Sequence, residues 1–170
     1  MLTQSALLQT FAEVAAALAG FAALASALGS RRGASPSEFS SLLNSVVRSV
    51  VLIFACLLPL VVADYGLSEA TVWRTASAVV LGLSWVTGFV LVRTWLRYGV
   101  QLTRDMARPS FRFVNAPLDV VVQLALLANV VGIYREYASA FYLTHILAGL
   151  GAAAAAFIWF LDAVFSPKSQ

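Results

Sequence analysis

Along the chain, apolar side chains run in long blocks that polar residues interrupt at intervals, without the strict alternation of a half-buried strand. Five blocks stand out, at about residues 8–29, 44–64, 72–96, 117–134 and 141–164. A hydrocarbon core of roughly 30 Å needs about 20 such residues in a helix. The pattern predicts an all-α fold: a polytopic transmembrane helix bundle of about five spans, forming a single domain over residues 1–170. The fourth block is the shortest, so four spans plus an interfacial or re-entrant segment is the alternative.

The polar residues between blocks are helix punctuation. Ser35–Glu38 reads SPSE, a capping box with Pro36 at the first helical position, which starts the second helix ahead of its apolar block. Ser68 is an N-cap for the third helix, with Glu69 at the positive end of its dipole. Asn115 and Pro117 are expected to open the fourth, with Asp119 in its first turn. Pro59 falls inside the second block and predicts a kink or local opening there.

Composition agrees with the pattern. Hydrophobic residues make up 61% and charged residues 11% of the chain, whereas soluble domains run at about 45–50% and about 25%. The mean hydropathy is +0.86. One Cys (Cys56) and one His (His145) exclude an intrachain disulfide and a zinc site built from several such ligands. No Gly-rich phosphate loop, nucleophile elbow or metal-binding carboxylate–His motif occurs, so no catalytic residue, metal or cofactor is expected.

The net charge of +3 is of the sign that suits nucleic acid, but its distribution speaks for a membrane. Arg31, Arg32, Arg48, Arg93, Arg97, Arg104, Arg108 and Arg112 fall on one side of the predicted spans. Arg74 and Arg135 fall on the other, alongside Asp64, Glu69 and Glu136. The positive-inside rule then puts the N-terminus outside and the C-terminus, with Lys168, in the cytoplasm. ALASA near Ala27 resembles a signal cleavage site, yet no basic residue precedes the apolar run, so the segment reads as a retained helix.

Small residues recur at four-residue spacing: Ala15, Ala19, Ala23 and Ala27, then Ala12, Ala16 and Gly20, then Ala148, Ala152 and Ala156 beside Gly149 and Ala153. Such rows let membrane helices approach closely. They are read as packing of helix one on helix five, ahead of a dimerisation stripe.

Three groups of polar residues are candidate sites. Glu13, His145 and Asn129 (with Arg135 nearby) fall near the outer ends of their blocks and could form a proton-titrating pair with a hydrogen-bonding neighbour. The competing reading has Glu13 snorkelling to the interface and His145 bonded to a nearby helix. Arg93, Arg97, Asp119 and Asp162 gather near the inner side with Arg48, read first as structural ion pairs. Arg104, Arg108 and Arg112, interleaved with Met106, Phe111 and Phe113, suit anionic lipid headgroups better than nucleic acid, and a plain positive-inside loop needs no ligand at all. Trp73 with Arg74 reads as an interfacial anchor.

At EVAAALAGFAALASALG, GLSEATVWRTAS and FIWFLDAVF the chain resembles small multi-span membrane proteins of bacterial genomes. That resemblance implies a bacterial cytoplasmic (inner) membrane and brings no activity, ligand or catalytic residue with it. The expected function is a small integral membrane protein acting through helix–helix packing, as a homo-oligomer or as an accessory subunit of a membrane assembly. Its partners would be membrane lipids and other membrane proteins. The alternative is a proton-linked channel or transporter using Glu13 and His145. A lipid-directed enzyme built on Asp119, Asp162 and the basic loop ranks third.

Overall fold

The computed structural model describes residues 4–31, 36–98, 109–133 and 135–165. These form five α-helices and one short 3-10 turn: α1 (Ser5–Arg31), α2 (Pro36–Ala63), α3 (Glu69–Tyr98), α4 (Pro109–Val131), the turn Arg135–Tyr137, and α5 (Ala138–Phe165). The fold is all-helical, as the hydrophobic pattern predicts. Three segments are long and apolar enough to cross a membrane: Ser5–Ala25, Val46–Ala63 and Arg135–Ala155. The apolar part of α4, Asp119–Val131, is shorter, and α3 carries Arg74, Ser77, Ser84 and Thr87 within its apolar run.

Local chemistry explains the boundaries. α2 begins at Pro36, where a missing N–H costs nothing because the first-turn amides have no partner inside the helix; Ser35 lies outside the described residues. Ser68 caps α3: its Oγ accepts from the Thr71 amide at 3.4 Å, and its carbonyl accepts from the Val72 amide at 2.9 Å. The fourth helix departs from expectation. It opens at Pro109 and runs through Asn115 and Pro117, so its first turns precede its apolar stretch, as those of α2 do.

Gly132 ends α4. Its amide bonds the Asn129 carbonyl at 3.1 Å, and the Ile133 amide bonds the Ala128 carbonyl at 3.0 Å, which is a Schellman closure. Its φ of 83° is the left-handed region. An added Cβ would meet nothing closer than Arg135 Nε at 3.7 Å, so space is no obstacle. Gly132→Ala is therefore expected to cost about 1 kcal/mol from backbone strain alone, measurable as a lowered thermal midpoint in detergent. An unchanged midpoint would show that α4 closes some other way.

α5 is the central helix and packs against all four others; α1 lies mainly on α2, and α4 is held between α3 and α5. One stripe of α5 stays uncovered, with Leu147 and Ile158 exposed, so its sequence is apolar on the open face as well as on the packed ones. The larger core cluster joins Leu8 of α1, Ala55 and Cys56 of α2, Trp73 of α3, Leu126 of α4 and Tyr142 of α5. A smaller one joins Ala22 and Ala25 to Val46, Phe157 and Leu161. The two clusters sit toward opposite ends of α1 and α5, so these helices run in the same direction, and the start of α1 and the end of α5 lie at opposite ends of the bundle.

The packing face of α1 differs from the four-residue rows. Leu8, Ala15 and Ala22 are fully buried, with Phe11, Ala12 and Leu18 packed beside them, whereas Ala16, Gly20, Ala23 and Ala27 are exposed. At 3.6 residues per turn, each four-residue step rotates by about 40°, so such a row slides off the contact. A seven-residue repeat stays on it.

The Pro59 position is resolved by a side chain from another helix. Proline has no N–H for the carbonyl four residues earlier, which frees the Ala55 oxygen in the core. The Tyr142 hydroxyl of α5 donates to it at 2.6 Å. Tyr142 also stacks on Trp73, with ring centroids 5.4 Å apart, and the Trp73 indole N–H donates to Glu69 Oε1 at 3.3 Å. Trp73 is therefore a core residue, while Arg74, the expected anchor, donates to the Val130 carbonyl at 2.6 Å near the end of α4.

A polar cavity among helices two to five

A cavity of about 280 Å³ opens between α2, α3, α4 and α5. Its polar lining comes from all four: Arg48 of α2, Ser84 and Thr87 of α3, Asp119 and Gln123 of α4, and His145 of α5. The spacing is helical on each element. Thr87 follows Ser84 by three positions and Gln123 follows Asp119 by four, which puts each pair on one face. Small residues at Gly88, Ala148 and Gly149 leave the space. Gly149 also makes room for Leu52 of α2, since an added Cβ would lie 2.6 Å from Leu52 Cδ2 and that side chain would have to shift.

Arg48 and Asp119 face each other through two contacts. Nη2 donates to Oδ2 at 3.1 Å and Nη1 to Oδ1 at 3.4 Å, a forked geometry between planar groups. The side chains are 35% and 51% exposed, so this pair stands at the mouth of the cavity and not deep inside. An ion pair that open adds about 0–1 kcal/mol to stability. Its value is positional: it joins α2 to α4 where the two apolar segments begin, Val46–Ala63 and Asp119–Val131.

His145 lies deeper. It is 7% exposed and sits in the first third of α5, seven residues beyond the helix start at Ala138. Its Nδ1 is buried and has no hydrogen-bond partner among the described residues; the same holds for Gln123 Oε1. Unpartnered polar atoms cost about 1–3 kcal/mol each when buried. Both residues line the cavity, where a ligand or water can supply the missing partners.

The expected residues fall as follows. Asp119 meets Arg48 of α2, and Arg93 of α3 is exposed. Glu13 is exposed on α1 and lines no part of the cavity that holds His145. Asn129 is engaged elsewhere: its Nδ2 donates to Ser77 Oγ at 3.1 Å and to the Ala138 carbonyl at 2.7 Å, tying α4 to α3 and to the start of α5. Arg104 and Arg108 lie outside the described residues, as do the side chains of Arg97, Arg112 and Asp162. Ser84, Thr87 and Gln123 were not singled out in the sequence. The signal was available, because each pair repeats at helical spacing within an apolar block.

No protein-family model, curated protein or solved structure matches the chain.

Proposed function

We propose that the chain is a multi-span membrane protein that links proton movement to a small solute, with the cavity among α2, α3, α4 and α5 as its working part. The observation that carries this reading is the pair of buried, unpartnered atoms, His145 Nδ1 and Gln123 Oε1, on a wall shared with the Arg48–Asp119 pair. Polar and ionisable groups at membrane depth mark solute paths and proton relays. Asp119 and His145 are groups that bind and release protons, while Arg48 keeps its charge and holds whatever anion faces it.

On this reading all five helices lie in the bilayer, with the arginine-rich end in the cytoplasm and the N-terminus outside. A bacterial cytoplasmic membrane is the setting the sequence resemblance implies. The packing reading keeps one supporting observation, the exposed apolar face of α1 with Phe21 and Leu24 beside Gly20. A second copy or a partner subunit could cover that face, and lipid covers it equally well.

The test is proton entry into liposomes holding the purified chain and a trapped pH-sensitive dye, under a pH gradient and with a panel of small polar solutes outside. Asp119→Asn and His145→Ala are each expected to slow entry by about tenfold or more, and Glu13→Gln to leave it unchanged. No proton movement above empty liposomes, or equal rates in all three variants, would overturn the proposal.

A further inference from the structure

The cavity does not stand alone on its surface. Two shallow apolar grooves lie along the α3 and α4 side and share residues with it. One runs past Ser84, Trp85, Gly88 and Phe89 to Gln123, and the other past Trp85, Val120 and Leu124 to Asp119 and Gln123. Trp85 borders both and is 65% exposed. The polar chamber therefore continues sideways, between two helices, into apolar surface. A solute using both parts has a small polar head and an apolar tail.

The charges at the mouth restrict the head. Among the described residues, the charged or titratable groups facing Asp119 in the cavity are Arg48 of α2 and His145 of α5; α3 adds Ser84 and Thr87, and the described part of α1 lines none of it. Of the Arg48–Asp119 pair, only the carboxylate can be neutralised by a proton, because a guanidinium stays charged in proteins. Breaking the pair at the cavity mouth thus leaves a cation for which an anion is the matching partner. A cationic solute would strand Arg48, and a dianion would bring one charge too many. Gln123 Oε1 adds a further requirement, since a carbonyl oxygen can only accept, and its partner must bring a hydrogen.

We propose that the cavity takes the head of an apolar carboxylic acid, which enters between α3 and α4 with its tail along the Trp85 groove. This rests on the proton-linked reading above. The undissociated acid arrives neutral; its O–H can satisfy Gln123 Oε1 while its carbonyl accepts from Arg48. The acid proton then passes to a carboxylate oxygen of Asp119, and the solute carboxylate replaces Asp119 on Arg48. One O–H bond breaks and one forms, one carboxylate replaces another, and the net charge of the cavity is unchanged. Neutral Asp119 now holds the hydrogen that Gln123 Oε1 needs.

Quenching by bromine requires close contact, so 8-bromooctanoate titrated against the full chain in detergent reads occupancy beside Trp85. Saturable quenching is expected that is lost in Trp85→Phe. The half-saturation point is expected to rise about tenfold in Arg48→Gln and in Gln123→Leu, one hydrogen-bonded partner's worth of affinity, and to stay put in Glu13→Gln. 8-Bromooctanol, with the same tail and no carboxyl, should quench without saturation. Equal saturation by the alcohol, or unchanged curves in both Arg48→Gln and Gln123→Leu, overturns the assignment of the head. Acetate displacing the brominated acid as well as octanoate does would assign the site to a soluble monoanion and overturn the lateral tail. Saturable acid binding without proton movement in liposomes would remove the proton-linked reading and leave the binding site. Proton movement driven by a different solute, with no acid binding, would do the reverse.

Discussion

Trp73→Ala is expected to be the most damaging single substitution in the described residues, lowering stability by about 3 kcal/mol, near the bottom of the range for aromatic truncations. Trp73 is 2% exposed at the centre of the larger core cluster and packs on Tyr142. Its loss opens a void that α3 and α5 cannot close without moving Asn129, which ties α4 to both neighbours through Ser77 and the Ala138 carbonyl. The lower end of the range applies because lipid is as apolar as the core, so burying the ring gains packing more than it gains escape from water. Unfolding in mixed micelles under a graded denaturing detergent measures it. A change under about 1 kcal/mol would mean that the α3–α5 contact contributes little to stability.

A second large effect is expected at Tyr142, and it depends on Pro59. Tyr142→Phe keeps the ring and its contact with Trp73 but withdraws the hydroxyl from the Ala55 carbonyl. That oxygen is then buried without a donor, at a cost of about 1–3 kcal/mol. Pro59→Ala restores an N–H at the position from which a helix normally serves that carbonyl. In the Pro59→Ala background, Tyr142→Phe should therefore cost less than half as much, and the double-mutant cycle gives the coupling directly. Equal costs in the two backgrounds would show that the hydroxyl contributes independently of the proline.

Much of the helical layout could be read in the amino-acid order because it rests on local chemistry. Pro36 and Ser68 mark helix starts whatever surrounds them. The apolar blocks mark helix bodies, although every helix starts before its block. Which face of each helix meets protein was much harder to read. In α5, apolar residues surround the axis, so nothing in their order distinguishes Tyr142 and Ile146, both fully buried, from Leu147, which is 60% exposed. Register between helices was harder still. Asp119 and Arg48 could be placed near one side of the membrane, but pairing them required knowing that α4 starts at Pro109 and how α2 lies beside it. His145 was recognised as unusual, but its place beside Ser84, Thr87 and Gln123 depends on how α3, α4 and α5 pack, which the order of residues does not show.

The proline contact bears on how the cavity can move. Arg48 lies eleven residues from Pro59 along α2, about 16 Å at 1.5 Å per residue. A bend of about 10° at the proline swings that level of the helix by about 3 Å, comparable to the 3.1 Å separation of Arg48 from Asp119. The pin that resists the bend is the Tyr142 hydroxyl, on the same helix as His145 and one turn away from it. α2 is thus a lever whose fulcrum is clamped by the helix carrying the deepest polar side chain of the chamber, and small rotations at one end of the bundle become bond-breaking displacements at the other.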